Sequence, residues 1–251
     1  LYEFQNLKER TKNKNSNLKS IDILANKEEI NSLSAGIKKG LALSMGVKKA
    51  KDLGNLPGNI CTPQYLADQA KDLAKKYKKW ILVGSLVIKI NKNELVNRSV
   101  LINSKGLICC YYDKIHMYDA VLSKSEIYLE SKTFSAGKKI KIAKLPWVQL
   151  GMSICYDLRF PNMYRKMSKK GAIFISIPSA FTETTGKKHW HSLLKARAIE
   201  NFCYIFAAAQ GGKHYNGRKT FGHSLIVSPD GKILKELGKK EGVITTTINP
   251  K

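Results

Sequence analysis

Between residues 28 and 52, apolar side chains recur at Ile30, Leu33, Ile37, Leu41 and Met45, spaced by three or four. That period predicts an amphipathic helix. Asn55-Leu56-Pro57-Gly58-Asn59 breaks it. Thr62 then reads as an N-cap with Pro63 at the first helical position. Leu66, Ala70, Leu73, Ala74 and Tyr77 make the stripe of a second helix. From Ile81 the pattern changes. Ile81 to Ile88 is mostly apolar and reads as a strand. Arg98 to Ile102 and Leu107 to Tyr112 flank Asn103-Ser104-Lys105-Gly106, the pattern of a hairpin. A similar unit recurs late, with His223 to Val227 and Lys232 to Leu237 on either side of Ser228-Pro229-Asp230-Gly231. Between the two units lie the apolar runs Val148 to Ile154, Ala172 to Pro178 and Tyr204 to Gln210. Continuous runs of this kind are expected of strands covered on both faces. His189 to Asn201 predicts a helix. Residues 1–27 are polar and Lys/Asn-rich without a period, and predict a loose lead-in.

The length of 251 residues suits one large domain or two small ones, and 43% hydrophobic residues suffice for a core. No stretch approaches the roughly 18 apolar residues of a membrane span, and no signal peptide is visible. The five cysteines include the adjacent pair Cys109-Cys110 and form no disulfide framework pattern, which predicts a reducing cytoplasm. The formal charge of +25 raises nucleic-acid binding as a hypothesis. Only six of the 44 basic residues are Arg, and the lysines are scattered over the chain. A Lys-for-Arg bias accounts for the charge. No specific nucleic-acid partner is expected, and nonspecific polyanion binding is the basic surface's default behaviour.

The chemistry centres on Gly151-Met152-Ser153-Ile154-Cys155-Tyr156-Asp157-Leu158-Arg159-Phe160-Pro161. An apolar strand stops at Cys155, and Pro161 opens a helical stretch. A thiol at a strand-to-helix elbow lies near unpaired N–H groups and the positive end of a helix dipole, which favour its thiolate. That builds a cysteine nucleophile; a merely buried thiol is the competing reading. His189 and His191 fall on different faces of their helix, so they are not expected to share an ion. No metal is expected, and His116 and His189 read as hydrogen-bonded braces.

Three further motifs accompany the elbow: Tyr112-Asp113-Lys114-Ile115-His116, Pro178-Ser179-Ala180-Phe181-Thr182-Glu183, and His189-Trp190 through Arg197-Ala198-Ile199-Glu200-Asn201. With them the chain resembles the nitrilase, or carbon–nitrogen hydrolase, superfamily from about Trp80 to Asn249. Ala207-Ala208-Ala209-Gln210-Gly211 and Phe221-Gly222-His223-Ser224 look most like its deaminated glutathione amidase branch. The resemblance implies an α/β fold, a nitrilase-type αββα sandwich. It implies hydrolysis of a linear carboxamide to acid and ammonia through a cysteine thioester, without a cofactor. Cys155 is then the nucleophile, and Lys114 a cation beside it that lowers the thiol pKa and stabilises the oxyanion. Glu130 matches a secondary acid, with an exposed loop carboxylate as the competing reading. The Tyr156 N–H, Ser179 and Ala180 line the oxyanion and substrate side. Asp157, Arg159, Arg197 and Glu200 read as ionic braces of the elbow. The implied partners are a small-molecule amide and, in a homodimer, a second copy of the chain.

Residues 36–77 have a resemblance of their own. Lys51 to Asn59 and Cys61 to Ala67 look like the linker helix and the opening of the catalytic domain of cytosolic leucyl aminopeptidases. No metal-binding constellation of that family follows, so peptidase chemistry is not expected. The expected organisation is a helical segment over 1–79 and a hydrolase domain over 80–251, incomplete at its N-terminus. The superfamily's triad is Glu–Lys–Cys, and its glutamate belongs to an early strand end in a Pro-Glu context. Glu3, Glu9, Glu28 and Glu29 lack that setting, and none is assigned as the base. A positioned base contributes about 10²–10⁴ in rate, so impaired turnover is expected; a non-catalytic fusion is the alternative.

Overall fold

The computed structural model describes residues 20–123, 126–215 and 217–250. Most of the expected lead-in, with Glu3 and Glu9, lies outside them. The chain divides into two compact units, residues 1–66 and 67–251.

In the first unit the predicted helix forms as α1, Ile30–Asn55, and it buries none of its residues. Its backbone ladder and a Lys48–Asp52 pair at 2.8 Å accompany an apolar stripe that stays exposed at Ile30, Ile37, Leu41 and Met45. The second helix, α2, is Pro63–Tyr77. Thr62 caps it as expected, its Oγ1 accepting the Tyr65 N–H at 3.2 Å.

In the second unit the remainder of α2 packs Ala70 and Ala74 against Ile81, Val100 and Ile102. Tyr77, at the end of the predicted stripe, is exposed. The partner sheet is β1 (Ile81–Asn91), β2 (Glu94–Ile102) and β3 (Ile108–Asp113), antiparallel in the order β1-β2-β3. The predicted hairpin is therefore present, its turn held by Asn103 Oδ1, which accepts the Lys105 and Leu107 N–H groups. A small hairpin follows, β4 (Asp119–Ser123) with β5 (Glu126–Leu129).

The second sheet contains β6 (Lys141–Lys144), β7 (Gln149–Met152), β8 (Phe174–Ser176) and β9 (Tyr204–Ala207). A short hairpin, β10 (Gly211–Lys213) with β11 (Lys219–Phe221), leads to β12 (Leu225–Val227) and β13 (Ile233–Glu236). The sheet order is β13-β12-β9-β8-β7-β6. Its centre, β7-β8-β9, is parallel, which explains why the three sequence runs are mostly apolar. Parallel neighbours need crossovers, and these are α3 (Pro161–Lys169) and α4 (Glu183–Asn201). α4 starts six residues before the predicted His189. The reason is local: Thr182 Oγ1 accepts the Thr185 N–H at 3.2 Å, a cap that precedes the apolar period.

One core joins the two sheets. Leu101 and Tyr112 of the smaller sheet share it with Met152, Ile154, Ile175 and Ile205. Trp190 and Leu194 of α4, and Met163 and Met167 of α3, close the other face of the larger sheet. The layers run helix, sheet, sheet, helix, as expected. Close packing of α4 on β11 depends on Gly186, where a Cβ would lie 2.3 Å from Phe221 Cβ. Alanine inside a helix ordinarily gains about 0.5–1 kcal/mol over glycine, but this contact involves the rigid root of a buried ring. We expect Gly186→Ala to be destabilising by about 1–3 kcal/mol, read as a melting temperature lower by several degrees in thermal denaturation.

Candidate active site

The carboxyl ends of parallel strands in an α/β sheet leave a crevice where successive chain segments diverge. Here the segments after β7, β8 and β9 are Ser153–Tyr156, Ile177–Phe181 and Ala208–Gln210. They are tied side by side: the Cys155 N–H donates to Pro178 O at 2.9 Å and the Ser179 N–H to Ala208 O at 2.8 Å. A cavity of about 670 Å³ opens above them. Cys155, Lys114, Glu130, Tyr156, Ser179 and Ala180, distant in sequence, all line it.

Cys155 is partly buried, and its backbone is left-handed, with φ +50°. A non-glycine residue held there is strained by roughly 1–3 kcal/mol, a feature common at functional sites. Asp157 holds the strain. It is fully buried, and its carboxylate accepts the Ile154 N–H at 2.9 Å, the His116 N–H at 3.1 Å and the Tyr112 hydroxyl at 2.7 Å. His116 Nδ1 lies 2.7 Å from the same group, and its ring stacks on Phe160. The helix expected from Pro161 forms there as α3, and a short 3-10 turn, Cys155–Arg159, stands between it and the strand. Asp157 caps this turn through the Ile154 N–H.

Lys114 follows β3 directly and is 3% exposed, far from the solvated lysine that its residue type predicts. Its Nζ donates to Glu130 Oε2 at 2.5 Å, and the Tyr118 N–H donates to the same oxygen at 2.6 Å. Glu130 is thus neither a free loop carboxylate nor directly bonded to sulfur; it anchors the lysine. Among the described residues lining the cavity it is the only carboxylate.

The sulfur's ionisation departs from expectation. Burial pushes the Cys155 thiol above its ordinary 9.0, and the Glu130 charge adds to this. Lys114, a hydrogen bond from the Ala180 N–H, and Arg218 pull the other way without overcoming burial. Lysine acts in the predicted direction, but desolvation of a thiolate outweighs it. Ser179 is buried, with its hydroxyl donating to Ile177 O at 3.1 Å.

The carbon-nitrogen hydrolase family matches residues 49–251. The chain belongs to the carbon-nitrogen hydrolases. A deaminated glutathione amidase from Yersinia enterocolitica is 42% identical over 67% of this chain and 60% of its own length. The chain thus spans less than two thirds of that relative. Among solved structures, the C. elegans NitFhit protein is 38% identical, covering 69% of this chain and 43% of that one, with a TM-score of 0.65. A glutamate-to-leucine variant of an amidase from Nesterenkonia sp. AN1 is 25% identical, with a TM-score of 0.61 over 75% of this chain and 70% of that one. Its active-site cysteine carries the acetamide moiety of fluoroacetamide.

Two residues of this carbon-nitrogen hydrolase cavity were absent from the sequence reading of the site. Arg218, after β10, donates to Ala180 O at 2.7 Å and lies over the Tyr128 ring at 5.4 Å. Tyr118 packs between Tyr128 and Tyr156, with ring centroids 5.0 and 4.9 Å away. Arg159, expected as a brace, bonds His189 Nδ1 at 3.1 Å and also faces the cavity. Arg197 braces the elbow as expected, donating to Leu158 O at 3.0 Å and pairing with Glu200 at 3.1 Å. A signal for Arg218 existed: arginine is rare in this chain, and each one retained against the lysine bias merits a planar-recognition role.

The raised thiol pKa sets a pH dependence. Little thiolate is present at neutral pH, and the fraction grows as pH rises towards and beyond 9. Alkylation of Cys155 by iodoacetamide, followed by peptide mass spectrometry to separate it from exposed Cys109, should accelerate steadily over that range. Lys114→Met removes a pull and leaves Glu130 unpaired, so at fixed pH the rate should fall, by about tenfold for each unit the pKa climbs.

Proposed function

We propose that residues 80–251 form an amidase of the deaminated glutathione amidase type, acting on a small linear carboxamide. The supporting observation is the convergence of Cys155, in a strained left-handed turn, with Lys114 and the Ala180 N–H around one cavity. Cys155 sulfur attacks the amide carbon, a C–S bond forms, and the carbonyl electrons move to oxygen. Lys114 Nζ and the Tyr156 N–H receive that oxyanion, where fixed donors count most. The intermediate collapses, the C–N bond breaks, and nitrogen leaves as ammonia with the thiol's proton. Water then attacks the thioester, releasing the acid and restoring the thiol. Glu130 keeps Lys114 aimed throughout.

Lys114, Arg159 and Arg218 outnumber Glu130 around the cavity, which favours an amide carrying its own carboxylate. With Glu130 engaged by Lys114, no other carboxylate among the described cavity residues can take the thiol proton. Turnover is therefore expected to be slow, by about 10²–10⁴ relative to a site with a positioned base. We assign no chemistry to residues 1–79. A reducing, cytoplasmic setting fits the free thiols, and no described helix is long and apolar enough to cross a membrane.

Ammonia release from omega-amides, deaminated glutathione among them, tests the reading. Cys155→Ala should abolish it, and Lys114→Met should lower kcat by about 10²–10³, the usual cost of one oxyanion donor. Fluoroacetamide gives a second readout that needs no base-assisted hydrolysis: thiolate displaces fluoride, leaving an acetamide on Cys155. Turnover that survives Cys155→Ala would remove Cys155 as the nucleophile, and absence of both ammonia release and a fluoroacetamide adduct at Cys155 would leave a non-catalytic protein as the better account.

A further inference from the structure

Away from the cavity, three side chains from separate elements meet at one point. His191 projects from α4, His223 sits between β11 and β12, and Glu236 ends β13. Their candidate donor atoms, one per residue, all lie within 4.8 Å of one another. His191 Nε2 is 3.0 Å and His223 Nδ1 2.5 Å from the same carboxylate oxygen, Glu236 Oε1. The proposed catalytic chemistry uses none of the three.

The surroundings hold the cluster in place. His223 has left-handed backbone, φ +59°, and its ring stacks on Phe221 with centroids 4.2 Å apart. Trp190, the neighbour of His191, donates its indole N–H to His223 O at 2.8 Å, fastening α4 to the same turn. The His191 ring stands edge-on to His223 at 5.4 Å. All three side chains are about a fifth to a third exposed, at 33%, 21% and 29% for His191, His223 and Glu236, so solvent and an ion can reach them.

We propose that His191, His223 and Glu236 form a binding site for a zinc-type divalent cation, with water in the fourth position. Two imidazoles and one carboxylate are a complete protein ligand set for tetrahedral zinc with one open position. At metal–ligand distances of about 2.0–2.2 Å, neighbouring donors stand roughly 3.3 Å apart. The cluster reaches that by opening its two short contacts and closing the third. Each ring's proton moves to its other nitrogen, so the coordinating nitrogen offers a lone pair. The bound ion then replaces two hydrogen bonds with coordinate bonds that strap α4 to the β12–β13 hairpin. Zinc is favoured over magnesium or calcium because two of the three donors are imidazole nitrogens.

Metal-free, untagged full chain titrated with Zn²⁺ by calorimetry should bind one equivalent. His191→Ala and Glu236→Gln should each weaken binding by more than about tenfold, since even outer-shell losses cost that much. His214→Ala, at a histidine bonded to Thr220 elsewhere, should not. Circular dichroism of the metal-free variants separates lost ligation from lost folding. Co²⁺ substitution should give the visible spectrum of a tetrahedral nitrogen–oxygen site without thiolate charge-transfer bands, excluding the cysteines. Absence of a stoichiometric site, equal affinity in the double variant His191→Ala/Glu236→Gln, or a thiolate-dominated Co²⁺ spectrum would each overturn the assignment.

Discussion

A single buried carboxylate sets the geometry on which the candidate site depends. Asp157 accepts from the Ile154 and His116 backbones and from the Tyr112 hydroxyl, and so joins both sheets at the elbow. Burying a charge without partners is prohibitive; burying it with several donors makes the arrangement hard to distort. The left-handed Cys155 is adjacent to this knot and owes its position to it. Strain at one residue is tolerable because the surroundings overdetermine it. Burial first, and then this same carboxylate, push the Tyr112 hydroxyl far above its normal ionisation range, so Tyr112 remains a proton donor to Asp157.

A second constraint is the parallel ladder. Because β7, β8 and β9 run together, their carboxyl ends place sulfur, the Ala180 N–H and the Ala208–Gln210 segment along one rim. Lys114 and Glu130 come from the other sheet and the β4–β5 hairpin. The cavity is therefore an inter-sheet feature, and its charge balance belongs to neither layer alone. Glu130 pairs with Lys114 in a poorly solvated place, and its charge opposes the lysine's pull on the thiol. Holding the lysine firmly and lowering the sulfur's pKa strongly are opposed requirements.

Much of the fold was legible along the chain. Period, turn residues and caps located both early helices, the Asn103–Gly106 hairpin, the late hairpin and the three buried strands. The motifs pointed to Cys155 and Lys114, and the resemblance added Glu130; all three line one cavity. Three points were not legible. The apolar stripe of α1 says nothing about whether a partner covers it, and it stays exposed. The state of the thiol depended on desolvation, which no motif encodes. The His191–His223–Glu236 cluster spans three elements, so no spacing announces it.

The sequence by itself determined the local order: which segments are helix or strand, where they turn, and which residue types with reactive chemistry stand at the turns. These follow from periodicity, backbone sterics and side-chain capping, all of which act over a few residues. The tertiary structure alone decided which groups face one another, how much water each keeps, and therefore which charges and protons are stable. Burial and Coulomb interactions act through space between residues tens of positions apart, and they come into being only when the sheets close.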